Sequence, residues 1–149
     1  MRWGLLLILL AAALTGPAAA YDFAPAKPLD VKSVDPAVLA GVYGAYEIRD
    51  KSGKKRCRVT LLKDFGIGGY QVEVAPGCDK VFPVMGDIAA WRLLESWTID
   101  LVDALRKTRV RFETPDDRYV PFGDAKDIAG MHELIKVQEV RDRPAQRKK

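Results

Sequence analysis

The chain has few of the side chains on which enzyme active sites depend. Among its 149 residues there are two cysteines and a single histidine, His132. A hydrolase needs a nucleophile, a base and a group that orients the base, and one histidine beside a carboxylate does not supply that set. A zinc site would need further ligands at suitable spacing. We therefore expect no enzyme activity, and no cofactor or metal of the protein's own.

The two cysteines, Cys57 and Cys78, are most simply the two halves of one disulfide. In the chain-entropy model, closing this loop of about 22 residues stabilises the fold by about 3 kcal/mol. No thiol is then left for catalysis, metal binding or lipid attachment. The pair also indicates folding in an oxidising compartment, which agrees with the export signal described next.

Residues 1–20 have the three parts of a secretory signal peptide. Arg2 provides the positive charge, and residues 4–14 form an apolar run too short to cross the roughly 30 Å hydrocarbon core of a bilayer. A stretch of three alanines, which a signal peptidase accepts, then ends at Ala20. We expect cleavage after this residue, which makes Tyr21 the mature N-terminus. A retained membrane anchor is the alternative.

Positive charge is concentrated at the end of the chain. The formal net charge is +4, and residues 141–149 hold five basic residues and one acidic residue. The rest of the chain is close to neutral, so the basicity describes a tail and not a face of the fold. We expect a disordered tail that begins at Arg141 and ends at Lys149. Its contact with anionic lipid or another envelope component stays open, whereas a nucleic-acid partner is not expected.

Residues 21–40 are predicted to form an extended arm followed by a short helix. Pro25 and Pro28 disfavour helix and push their neighbours toward extended conformations. Pro36 then suits the first position of a helix, capped by Asp35 or by the serine two residues earlier. The helix can be only one or two turns long because a glycine follows it closely.

Short runs with alternating apolar residues predict a β-rich domain over residues 41–140. Turn compositions separate the runs at residues 50–53, 66–69 and 76–77. Short strands at this spacing favour an antiparallel sandwich or barrel. The alternating positions are Tyr46 and Ile48; Cys57, Val59 and Leu61; Tyr70, Val72 and Val74; Val110 and Phe112; and a last stretch over residues 134–140.

Residues 88–105 fit two different structures. The spacing of their apolar residues slightly favours an amphipathic helix. The alternative is two strands joined by a turn at Glu95 and Ser96, and on periodicity alone both interpretations stay open. The apolar positions of the helical pattern are Trp91, Leu94, Trp97, Leu101, Val102 and Leu105.

A series of short motifs between Gly41 and about Val137 follows the order found in one known family. The motifs are Gly41-Val42-Tyr43, Tyr46-Glu47-Ile48, Cys57-Arg58-Val59-Thr60-Leu61, Gly69-Tyr70-x-Val72, Gly77-Cys78, Ala90-Trp91-Arg92-Leu93, Ile99-Asp100-Leu101, Arg111-Phe112 and residues 130–134. In this order they resemble the alkaline-proteinase inhibitor (Inh) family of Gram-negative bacteria. Its members are small periplasmic inhibitors of serralysin-type zinc metalloproteases, with outer-membrane lipoproteins among their relatives.

The resemblance implies an all-β fold, a small eight-stranded antiparallel β-barrel with one disulfide and a short helical turn before the first strand. It also implies strands and not a helix over residues 88–105, with Trp91 as a core aromatic residue. We accordingly expect an exported monomer in the periplasm.

In that family, inhibition comes from the N-terminal arm, whose free α-amino group reaches the catalytic zinc of the protease. An unprotonated amine can replace the metal-bound water, and a rigid barrel limits the ordering cost of binding. The resemblance thus implies a secreted zinc metalloprotease as partner and the Tyr21 amine as a ligand of that protease's zinc. The implied protease-contacting arm consists of Tyr21, Asp22, Phe23, Ala24 and Pro25. The chain departs from the family in its bulky first residue and its longer arm.

Two other functions remain open at this point. The same barrel would serve as a non-inhibitory module of the cell envelope if its surface and basic tail bound protein or lipid partners. A small molecule in the barrel interior is the third hypothesis, although side chains usually fill the space inside eight strands. Trp91, Trp97, Tyr70 and Phe112 are expected to be core residues and not pocket residues.

Overall fold

The computed structural model describes Gly16 and residues 20–137. This part of the chain forms antiparallel β-strands connected by hairpins and short helical turns. The strands are β1 Gly44–Arg49, β2 Arg56–Gly66, β3 Gly69–Val74, β4 Ile88–Leu93, β5 Ile99–Asp103, β6 Thr108–Glu113, β7 Val120–Gly123 and β8 Glu133–Lys136. The predicted all-β class is confirmed.

The eight strands form one sheet that curves into a nearly closed barrel. Neighbours in the chain pair with each other from β1 to β7, and β8 returns to pair with β1. The two edges, β7 and β8, meet at a bridge between Tyr119 and Leu134. There the Leu134 amide donates to the Tyr119 carbonyl over 3.0 Å. The eight-stranded antiparallel barrel implied by the resemblance is therefore confirmed.

Side chains from alternate strand positions fill the barrel interior. Trp91 is fully buried, and its indole nitrogen donates to the Leu62 carbonyl over 2.9 Å. Tyr70 and Trp97 are half-buried and pack against the same core. Other core residues from the strands are Tyr46, Ile48, Val59, Leu61, Leu93, Ile99, Leu101, Val110, Phe112 and Leu134.

The short helix expected before the first strand is confirmed. Helix α1, Pro36–Ala40, begins with proline, and the Asp35 side chain caps it by accepting from the Ala37 amide over 2.8 Å. A second single-turn helix, α2, spans Cys78–Val81. Three 3₁₀ turns complete the helical structure, at Val31–Ser33, Pro83–Gly86 and Glu95–Trp97. The first of them lies before α1, in the segment that the sequence predicted to be extended.

The slight preference for a helix over residues 88–105 is wrong, and the strand interpretation is right. The segment forms β4 and β5, joined by the 3₁₀ turn, in which Ser96 and Trp97 both have a positive φ of 59°. Residues 99–102 of β5 are all buried. Because both faces of this strand are covered, apolar and polar residues do not alternate along it, and this conceals the two-residue period.

The predicted disulfide joins Cys57 in β2 to Cys78, the first residue of α2. Their Cα atoms are 5.0 Å apart, and both side chains are buried. Gly77 precedes the second cysteine with a φ of 85°, a conformation that glycine adopts without steric cost. The cross-link therefore fixes the segment that follows β3 to β2.

Several predictions concern residues outside the described part of the chain. These are the signal peptide with its cleavage, apart from Gly16 and Ala20, the basic tail over residues 141–149, and residues 138–140 of the last predicted strand stretch. The proposed domain boundaries stay predictions. Over the residues described, no helix is long and apolar enough to cross a membrane.

Candidate functional site

The N-terminal arm lies along the outside of the barrel and is paired to the chain that leaves β4. On one side of Pro28, the Leu29 amide donates to the Leu93 carbonyl over 3.0 Å. On the other side, the Glu95 amide donates to the Lys27 carbonyl over 2.8 Å. These bonds attach the base of the arm through backbone groups, as an added strand would be attached.

A buried ion pair lies beneath the arm. Asp100 of β5 and Arg111 of β6 are register partners, and their side chains are 2% and 7% exposed. Arg111 donates to one carboxylate oxygen through Nε over 2.7 Å and to the other through Nη2 over 3.0 Å. The Thr108 hydroxyl donates to the same carboxylate over 2.9 Å. The hydrogen bonds to Asp100 raise the pKa of Arg111, so the guanidinium stays charged.

This ion pair is on the outer face of the barrel. The neighbouring residues Leu101 and Val110 belong to the core, and successive side chains of a strand point to opposite faces. An outward-facing pair of this kind is ordinarily hydrated. Here the arm crosses the same face, so Asp100 and Arg111 are excluded from water.

The third donor group of Arg111 contacts the arm directly. Its Nη1 donates to the Ala24 carbonyl over 2.5 Å. The Phe23 ring lies over the guanidinium, with 5.2 Å between Cζ of Arg111 and the ring centroid. Tyr21 packs edge-on against Phe23 at a centroid distance of 4.7 Å. One arginine thus links β5, β6 and the outer part of the arm.

The outer end of the arm borders an open groove of about 420 Å³. Tyr21 and Phe23 line it on one side, and Leu105 and Lys107 of the β5–β6 hairpin line it on another. The structure thus brings the predicted arm residues together on the barrel surface; they are Tyr21, Asp22, Phe23, Ala24 and Pro25. Their contact with a protease stays a prediction.

Sequence reasoning does not identify Asp100 or Arg111 as residues that hold the arm. The available signal is a charged residue with an apolar neighbour on each side, once in β5 and once in β6. Pairing the two requires the strand register, which the pattern does not contain. The sequence pattern does not indicate Ala24 either, because this residue is 87 positions away from Arg111 in the chain.

A second arginine of β6, Arg109, holds three carboxylates from different parts of the barrel. It donates to Asp127 through Nε over 3.0 Å and through Nη2 over 3.1 Å, and to Asp87 through Nη1 over 3.2 Å. Asp103 lies 3.5 Å from the same Nη1. The hydrogen bonds to Asp127 raise the pKa of Arg109. This cluster ties together the segment before β4, the end of β5 and the loop after β7.

His132 and the acidic turn at residues 116–117 carry side chains of the kinds used in catalysis and metal binding, and each has its own structural contacts. His132 is half-buried just before β8, where its backbone amide donates to the Arg49 carbonyl over 2.7 Å. Asp116 pairs with Arg118 over 3.4 Å in an exposed turn. Within the described residues, no group of three or more histidines, cysteines or carboxylates is placed to hold a metal ion.

Two hairpin tips expose large apolar side chains. Phe65 and Ile67, at the β2–β3 tip, are 79% and 71% exposed, and Leu105, at the β5–β6 tip, is 88% exposed. Arg92 holds the tips together by donating to a backbone carbonyl of each hairpin, over 2.6 Å and 3.2 Å. The two tips are therefore neighbours, and Leu105 also lines the groove that the arm borders.

The family described as protease inhibitor Inh matches residues 38–127. The match begins within α1 and ends after β7, so it includes the disulfide and the Asp100–Arg111 pair but not the arm. No curated protein matches the chain significantly. Because the matched segment spans more than half of the chain and seven of its eight strands, the protein belongs to the protease inhibitor Inh family.

Proposed function

We propose that the exported protein inhibits a serralysin-type zinc metalloprotease by inserting its N-terminal arm into the active-site cleft. Membership of the family supports protease inhibition in general terms. The observation that carries the arm mechanism is the placement of residues 21–27, which lie outside the helices and strands, on the surface of a filled barrel, and are held at their base by backbone bonds. A protease cleft binds extended polypeptide, and a segment outside the helices and strands can take that form once it separates from the barrel.

The α-amino group of Tyr21, once the leader is removed, would be the group that reaches the zinc. A catalytic zinc keeps one coordination position for water or substrate, and a neutral amine is a nitrogen donor that can occupy it. An unperturbed α-amino group has a pKa of about 7.7–8.0. A useful fraction is therefore neutral near pH 7, and binding to the metal draws the equilibrium toward that form.

The length of the arm is sufficient for this role. The backbone bonds of Lys27 and Leu29 hold its base on the barrel. Residues 21–26 precede that base, and six residues in extended conformation span about 20 Å. Because the disulfide-linked barrel is already ordered, only these six residues lose conformational freedom on binding, which keeps the entropic cost of association low.

An inhibition assay tests the proposal. The full chain is expressed with its leader, purified after export and titrated against a serralysin-type protease. We expect inhibition that a variant lacking residues 21–26 does not show. A matched variant with one extra residue ahead of Tyr21 should inhibit far less, because its amine is displaced by one residue. Absence of inhibition by the exported chain at a hundredfold molar excess would contradict the proposal.

Export and processing are tested separately by mass spectrometry of the intact purified chain under non-reducing conditions. The proposal expects a mass that begins at Tyr21 and is two hydrogens lower than that of the dithiol form. Recovery from the periplasm supports the proposed location. A chain that keeps residues 1–20 would have no free amine at Tyr21, and the zinc mechanism would then be wrong.

A non-inhibitory envelope function is the second candidate, favoured by the exposed apolar surface of Phe65, Ile67 and Leu105. Apolar tips beside basic residues suit the interface of an anionic membrane. Flotation with vesicles of anionic lipid tests it. Binding that is lost when residues 141–149 are deleted, or when Leu105 is replaced by serine, would support this function. Inhibition that survives both changes would separate it from the first candidate.

A further inference from the structure

We propose that Arg111 is the positioning residue that docks the N-terminal arm on the barrel, and that the arm must leave Arg111 before its end can enter a protease cleft. The docking concerns this chain alone. The release step rests on the proposed function. The two parts are therefore tested by different measurements.

Arg111 is the point at which the outer arm is attached. Among the described residues, its bond to the Ala24 carbonyl is the only hydrogen bond between residues 21–26 and the barrel. The same guanidinium carries the Phe23 ring on its face. A cation beneath an aromatic ring and a charged donor to a carbonyl reinforce each other when water is excluded.

Asp100 makes this attachment specific and reversible. Its two contacts fix the plane of the Arg111 guanidinium and leave Nη1 directed at the arm. When the arm leaves, Arg111 still has its carboxylate partner, so no unpaired charge remains behind. Release therefore costs one hydrogen bond and one ring contact, while the bonds at Lys27 and Leu29 keep the base of the arm in place.

The docked arm is not in a form that a cleft can accept. The Ala24 carbonyl and the Phe23 ring face the barrel wall, and Tyr21 packs on Phe23 beside the β5–β6 hairpin. One side of the segment is therefore covered by the barrel. A cleft that encloses an extended chain needs both sides of it, so residues 21–24 have to separate from the wall first.

Limited proteolysis with chymotrypsin measures the docking without any target protease. Cleavage after Phe23 removes three residues from the exported chain and is read from the intact mass. The peptide bond between Phe23 and Ala24 is protected while the Phe23 ring is docked on Arg111, because a protease cleaves only a segment that has locally detached. In the double variant Asp100→Asn with Arg111→Met, we expect cleavage about 10- to 100-fold faster, the range that follows from losing a hydrogen bond to a charged group. Cleavage at the rate of the unsubstituted chain would overturn the docking role.

Two further variants separate docking from folding. Arg109→Gln alters the neighbouring arginine of β6, which makes no hydrogen bond to the arm among the described contacts, so cleavage after Phe23 should keep its original rate. Arg111→Lys retains the charge opposite Asp100 and should restore part of the protection, since one ammonium group cannot bond both partners equally well. If Arg109→Gln accelerated cleavage as much as the double variant, the effect would be general loosening and the inference would fail.

The release step is measured as the association rate with a serralysin-type protease. If release precedes insertion, the double variant should associate faster, by a factor up to that of the cleavage assay. Slower or unchanged association, with inhibition intact, would show that the docked arm is the productive form and would overturn the release step. If the unsubstituted chain did not inhibit at all, the proposed function and the release step would fall, while the cleavage assay would still decide the docking.

Discussion

Arg109 and Arg111 are two positions apart on the same strand and on the same outer face of the barrel, yet they hold different parts of the molecule. Arg109 contacts three carboxylates, all from the barrel and its loops. Arg111 contacts one carboxylate and gives its remaining bond to the arm, at Ala24.

The environments of the two arginines differ in how water is excluded. The Arg109 side chain is 19% exposed; its partner Asp87 is 61% exposed, whereas the other two carboxylates are 13% and 12% exposed, so water reaches this cluster from the Asp87 side. The pair of Arg111 with Asp100 is almost fully buried, and the arm provides part of that cover. The same residue type therefore links loops of the barrel where it is partly hydrated, at Arg109, and holds the N-terminal arm where it is buried, at Arg111.

The largest expected effect is that of replacing Arg111, the buried arginine, while Asp100 is kept. Arg111→Ala leaves Asp100 as a buried carboxylate without its cation, so we expect the free energy of unfolding to fall by about 3–5 kcal/mol. Urea denaturation measures it. The double variant Asp100→Asn with Arg111→Met should recover most of the loss, because no buried charge remains. Arg109→Ala should cost less, about 1–2 kcal/mol, because water can hydrate the carboxylates it leaves.

Removing the arm should make the two arginines more alike. Deletion of residues 21–26 exposes Arg111, and the cost of Arg111→Ala should then drop by about 1–3 kcal/mol, the size of coupling seen between residues in contact. The cost of Arg109→Ala should change little. A double-mutant cycle on unfolding free energies gives the coupling. A coupling near zero for Arg111 would mean that the arm contributes nothing to its environment.

Alkaline pH provides a test in which neither arginine takes part. Burial raises the pKa of Tyr46 and of Tyr119, and hydrogen bonds to carboxylates raise the pKa of Arg109 and Arg111. Unfolded tyrosine deprotonates near pH 10, so stability is complete below that pH and is lost as pH rises, by up to about 1.4 kcal/mol per pH unit for each tyrosine. Stability curves for Tyr46→Phe should be flatter above pH 10. Arg109→Ala and Arg111→Ala should retain the original slope.

The smallest expected effect is that of salt. Raising the ionic strength from 0.1 M to 1 M shortens the Debye length from about 10 Å to about 3 Å. The cost of Arg109→Ala should shrink by about 0.5 kcal/mol because its cluster is partly hydrated. The cost of Arg111→Ala should stay the same within error. Urea denaturation in both buffers measures how the cost of each substitution changes with salt. An equal change for both arginines would contradict the view that Arg109 is partly hydrated and Arg111 is buried.

Much of the fold is accessible from the sequence because the relevant signals are local. Alternation in β1, β2 and β3, the turn residues between them and the proline at the start of α1 each act over a few positions. The failure over residues 88–105 has a physical cause, since both faces of β5 are covered, and the apolar Val102, buried two positions after Asp100, breaks the alternation of apolar and polar residues. There the family resemblance succeeded where periodicity did not.

The candidate site is less predictable because it is made by long-range contacts. The arm residues from Tyr21 to Pro25 follow from the resemblance, and the cysteine pair follows from composition. The partner of the arm does not, since the register that places Asp100 opposite Arg111 is set by the curvature and pairing of the whole sheet. A charged residue between two apolar neighbours in a strand marks such a place without showing what the residue binds.

The contact between Ala24 and Arg111 also determines an order of events during folding. A chain is made from its N-terminus, and the partner of this contact is 87 residues further along. The β5 and β6 strands have to be made and paired before the ion pair exists to receive the arm. The arm therefore docks only after β5 and β6 have paired, and until then its backbone is open to any peptide-binding partner, a chaperone or a protease included.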